Sequence, residues 1–73
     1  MYIIQEIQTE AGVTALTPAI TEADKNTADS IWHQKMSYAA ISEVDIHTVV
    51  MLDEHGNLIK QGYYEHAPVP VNE

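Results

Sequence analysis

Four histidines are the residues in this chain best suited to chemistry: His33, His47, His55 and His66. Imidazole serves as a metal ligand or as a general base near neutral pH. A metal needs its ligands converging on one point, so spacing decides. His33 falls in a helical pattern, on the side away from its apolar stripe, and His55 falls in a turn. His47 is mid-strand and His66 follows the last strand. Pairing the strands about the Glu54–Gly56 turn puts His66 opposite Glu43 or Val44, roughly 10–13 Å from His47 at ~3.3 Å per residue. The two do not chelate one ion. Asp45 is the nearest carboxylate on the strand face of His47, ~6.6 Å along, a spacing typical of a solvated polar face.

Nucleophiles and phosphate loops give less. Ser30, Ser37 and Ser42 sit in or at the end of the helical pattern, with no glycine-rich elbow around them. Gly12, Gly56 and Gly62 are isolated, which excludes a P-loop or dinucleotide fingerprint. The Asp53–Asn57 stretch is too short for a calcium loop of about twelve residues. Without Cys there is no thiolate metal site and no disulfide. The expectation is a protein that is not an enzyme and holds no cofactor and no metal.

Positioning of any site falls to a small scaffold. Seventy-three residues make one domain with a thin core, and chains of this size often gain stability from a partner subunit. Eleven Asp and Glu stand against three Lys and no Arg, a formal charge of −8. Phosphate backbones are bound chiefly by Lys and Arg, so direct binding to nucleic acid or to an anionic membrane is not expected. A basic partner, or mimicry of nucleic-acid charge toward a DNA-binding protein, is the alternative such acidity allows. A third reading is a small ligand- or metal-binding domain around His47. The N-terminus lacks a basic signal region, and no apolar run approaches the roughly 20 residues of a membrane span. The expected setting is cytoplasmic, or virion-associated if the chain is phage-encoded.

The patterns read as ββαββ, an α+β fold with one amphipathic helix packed on a four-stranded antiparallel sheet made of two hairpins. Residues 2–8 are β-branched and roughly alternating, Thr9–Gly12 turns, and Val13–Thr17 returns. Pro18 cannot donate to a ladder, so it ends that strand or marks an edge. Thr21 reads as a helix N-cap followed by Glu22 and Asp24 in the first turn. Ala28, Ile31, Trp32, Lys35/Met36, Ala39 and Ala40 recur as one stripe. Residues 44–52 and 58–65 flank a glycine-bearing turn and form the second hairpin. The domain spans 1–66, and the proline-alternating tail 67–73 is expected to be extended or disordered.

One helix covers one sheet face. Placing Ile46, Val50 and Leu52 beneath it sends Val49 and Met51 to the other side, together with Ile59 or Tyr63. Those four residues, Val49, Met51, Ile59 and Tyr63, are the candidate interface, because uncovered apolar surface of several hundred Å² marks contact sites. A homodimer of two-fold symmetry is the expected partner state.

The run Ser30–Ser42, then His47, the Asp53–Gly56 turn and Tyr64-Glu65-His66, resembles small uncharacterised proteins encoded in prophages and mobile regions of gut Firmicutes. The resemblance implies a phage-related accessory or structural component acting by protein–protein contact. It carries no activity, so no residue inherits a role from it, and nothing is transferred through Trp32 or the Pro-containing tail.

Overall fold

The computed structural model describes residues 1–66, so the tail 67–73 lies outside the described residues. Five strands and one helix follow in the order β1 (Tyr2–Glu10), β2 (Val13–Leu16), β3 (Ile20–Glu22), α1 (Lys25–Ile41), β4 (Ile46–Asp53) and β5 (Leu58–Glu65). The fold is α+β. Its main strands run β2-β1-β4-β5, antiparallel throughout, with one helix on the sheet.

Each hairpin is closed by local chemistry. Ala11 and Gly12 both take positive φ, 53° and 78°, the backbone sense of a tight two-residue hairpin turn. The Asp45 carboxylate accepts from the Ala11 N–H at 3.0 Å, tying this turn to the start of β4. In the second hairpin the Asp53 carboxylate accepts from the N–H groups of His55 and Asn57. The Thr17-Pro18-Ala19 break splits one edge of the sheet, so that β2 and β3 pair with successive stretches of β1.

That short β3 moves the helix start. Thr21 and Glu22 pair with Ile3 and Tyr2 as strand, so Thr21 is not the N-cap and neither Glu22 nor Asp24 lies in the first turn. Asp24 is itself the cap, accepting from the Thr27 N–H at 2.8 Å. At the other end, where no glycine stands, the Ala39 carbonyl is met by the Ser42 N–H at 3.3 Å and by His66 Nε2 at 2.7 Å.

Register decides which side chains lie under the helix. Ile4 pairs with Met51 and Glu6 with Val49; Met51 pairs with Lys60 and Val49 with Gly62. Ile4, Val49 and Met51 are fully buried with Ala28 and Ala39 of the helix. Tyr2, Ile20, Ile31, Trp32 and Met36 pack around them. The helix therefore covers the His47/Val49/Met51 side of β4. The expectation that Ile46, Val50 and Leu52 lie beneath it is corrected, and with it the placing of Val49 and Met51 on the open face. The reason is close fit. A Cβ on Gly62 would stand 2.7 Å from Met36 Cε and 3.2 Å from Trp32 Cζ2, so the helix comes down where β5 offers no side chain. Ala28 and Ala39 are the matching small residues on the helix.

Candidate functional site

Two places in the fold collect side chains of interest. One is a polar cluster between helix and sheet. Glu6 projects from β1 on the helix side; its Oε1 lies 2.7 Å from His47 Nε2 and its Oε2 3.4 Å from Lys35 Nζ. His47 is almost wholly buried, and its Nδ1 has no protein partner. The carboxylate that His47 meets is thus on the neighbouring strand, across the ladder, rather than Asp45 along its own. Asp45, the nearest carboxylate along the strand face of His47, accepts from the Ala11 N–H instead. Among the described residues no three His, Cys, Asp or Glu converge closely enough for a metal ion, and no pocket opens. What the cluster does physically is give buried His47 a carboxylate partner that Lys35 pairs from its other oxygen, which lets a polar row border the core.

A second ionic group fastens the helix to β5. Asp29 lies 3.1 Å from Lys60 Nζ and 3.4 Å from Lys25 Nζ. The Lys60 bond, with help from the Lys25 charge, holds the Asp29 carboxyl below the usual carboxylate range. Lys60 Nζ also stands 5.1 Å from the Trp32 ring centroid, within cation–π reach. Lys25, Lys35 and Lys60, all the lysines of the chain, are in this way drawn to the helix side.

The other place is the sheet face without a helix. Successive residues of a strand point to opposite faces, and directly paired residues share a face, so the register lays this surface out in rows. Leu16, Ile7, Thr48 and Tyr63 form one row across β2, β1, β4 and β5. Gln5, Val50 and Gln61 form the next, and Ile3, Leu52 and Leu58 the one beyond. Ile46 sits between Thr9 and Glu65 at the far end. Leu16, Leu58 and Tyr63 are 67%, 56% and 57% exposed. Central Gln5 bonds its side-chain amide to the Thr17 and Glu6 carbonyls.

Charge is segregated between the two faces. By the same alternation Glu6, Glu10, Glu22, Asp53 and Lys60 lie on the helix side, and among the described residues Glu65 is the one charged strand residue on the open side. A chain of net charge −8 thus carries a nearly uncharged, apolar sheet face.

Of the four candidate interface residues, Tyr63 lies on the open face and Ile59 is exposed beside the bulge in β5. Val49 and Met51 are core. Sequence reasoning missed Ile3, Ile7, Val50 and Leu52 as the open set. The signal that would have found them is Gly62: an isolated glycine inside a strand marks a close approach, and its partner Val49 must then be on the approached side. No protein-family model, no curated protein and no solved structure matches the chain.

Proposed function

We propose that this protein is non-enzymatic and works by protein–protein contact through its helix-free sheet face, docking on the same face of a second copy. The observation that carries the reading is the charge segregation of the two faces. Interface centres are depleted in charge and enriched in apolar and aromatic groups, and this face has one charged strand residue among the described residues, Glu65. Two bodies of charge −8 repel wherever carboxylates meet. Face-to-face docking is the approach that keeps those carboxylates apart.

Size is adequate for such a contact. Four strands at ~4.8 Å and four rows at ~6.6 Å give a flat area of roughly 500 Å². Two copies would bury on the order of 1,000 Å² or more, the level at which specific interfaces begin. A contact component of this kind is what the resemblance to phage and mobile-element proteins implies.

Sedimentation of the full chain tests the reading. A species heavier than the 8.1 kDa chain is expected at high micromolar concentration. A monomer there contradicts it.

A further inference from the structure

β5 forms one edge of the sheet, paired only with β4 among the described strands. Its ladder phase follows from one bond: the His66 N–H donates to the Asp45 carbonyl. Backbone groups alternate in direction along an antiparallel strand. Tyr64, Gly62 and Lys60 therefore turn their N–H and C=O toward β4, and Gln61, Tyr63 and Glu65 turn theirs outward, away from the sheet.

Folded proteins usually blunt such an edge with proline, a bulge, short length or a projecting charge. The opposite edge is blunted in that way, since Pro18 divides it into strands of four and three residues. β5 runs eight residues without proline. Its Lys60 ammonium is held over the helix side by Asp29 and Trp32. Its register shift lies at the turn end, beside Ile59, clear of the three outward residues.

We infer that β5 pairs antiparallel with β5 of a second copy about a two-fold axis at Tyr63. In this register Gln61 faces Glu65 of the second copy and Tyr63 faces its counterpart, so the outward groups satisfy one another. Gly62 faces Tyr64, and Lys60 faces His66. No two carboxylates and no two ammonium groups meet. A two-fold axis at Gly62 would instead require Ile59, at the bulge, to pair with Glu65. The second copy is the fitting occupant because these three residues complete their own ladder. Its axis is perpendicular to the sheet, so both helices stay on one side and the two charge-poor faces become one continuous surface.

The edge rests on its own observation and stands even if the face reading fails. With both surfaces active, each chain has two self-complementary contacts, and the assembly exceeds a dimer, closing as a tetramer or propagating. Sedimentation of five full-length chains at high micromolar concentration separates the two contacts. Gln61→Pro deletes an outward N–H while sparing the β4 ladder, and Gln61→Ala changes the side chain alone. Val50→Lys charges the centre of the open face. Wild type and Gln61→Ala are expected above dimer mass, Gln61→Pro and Val50→Lys at dimer mass, and the double variant at monomer mass. If Val50→Lys leaves the mass unchanged while Gln61→Pro lowers it, the face reading fails and the edge stands. A folded Gln61→Pro chain with wild-type mass overturns the edge. Amide exchange probes the same edge in the wild-type chain, without any variant: the Gln61, Tyr63 and Glu65 amides are expected to be protected at high concentration and to lose protection on dilution. Free exchange of these amides at high concentration overturns the inference.

Discussion

The indole Nε1 of Trp32 donates to the backbone carbonyl of Val49 at 3.1 Å. This bond pins the helix over β4 at the point where Gly62 leaves room, and it settles the two faces of the sheet. Val49 and Met51 go inside, and Val50 and Leu52 go outside.

Met51 is consequently a folding residue. It is fully buried, so Met51→Lys places an unpaired charge in the core and costs on the order of 4 kcal/mol. That is comparable with the whole stability of a domain this size, roughly 4–11 kcal/mol. Far-UV circular dichroism should show a largely unfolded chain, whatever the protein concentration.

Gly62→Ala should lower stability by about 1 kcal/mol. The added methyl meets the movable end of Met36 and the rigid Trp32 ring, and the methionine absorbs part of the strain. Trp32→Phe loses the bond to Val49 and part of the buried ring, costing about 1–2 kcal/mol. Urea melts of the two variants measure both. An unchanged midpoint for Gly62→Ala would show that the helix does not approach β5 this closely.

Glu6→Ala should destabilise by about 1–3 kcal/mol, because it leaves buried His47 without its partner. His47 Nε2 loses its acceptor and Lys35 loses its counter-charge. Glu6→Gln keeps an acceptor for His47 and should fall between the alanine variant and wild type. Chemical denaturation orders the three.

Acid should weaken the helix start through Asp24. The Thr27 backbone N–H, and then its hydroxyl, hold the Asp24 carboxyl below its ordinary 3.8. A carboxyl depressed in the folded state stabilises fully above the unfolded value, and that contribution is lost as pH falls through the folded value. Asp53, bonded first by the Asn57 side chain and then by its N–H, behaves likewise. Asp24→Asn keeps a capping oxygen but no charge. Thermal melts from about pH 5 to about pH 2 should therefore fall less steeply for Asp24→Asn than for wild type.

Much of this fold is legible in the residues, for identifiable reasons. The β4–β5 hairpin follows from two apolar runs about a glycine-bearing turn, and the helix from the spacing of Ala28, Trp32, Met36 and Ala39. Pro18 reads correctly as an edge residue. The helix start does not, because Thr21 and Glu22 carry good capping chemistry yet are held extended by Ile3 and Tyr2 of β1, a non-local pairing. The choice of face is the deeper miss. Counting apolar residues on β4 favours Ile46, Val50 and Leu52 as core, but fit outweighs the count: Gly62 admits the helix on the other side, and Glu6 with Lys35 makes His47 tolerable there. Glu6, the partner of His47, and Lys35, which pairs with Glu6, come from other elements, so spacing along β4 cannot reveal them. The open face thus keeps Tyr63 of the expected residues and has Ile3, Ile7, Val50 and Leu52 in place of Val49 and Met51.

The most direct test of contact through the open face is sedimentation of Val50→Lys and wild type at matched high micromolar concentration, with circular dichroism confirming that both are folded. Val50 lies at the centre of that face, between Gln5 and Gln61, and a lysine there is tolerated by a solvent-facing strand at a cost of about 1 kcal/mol or less. The folded Val50→Lys chain is expected to sediment at a lower mass than wild type. Equal masses for the two folded chains would contradict the central claim that the helix-free face is the contact surface.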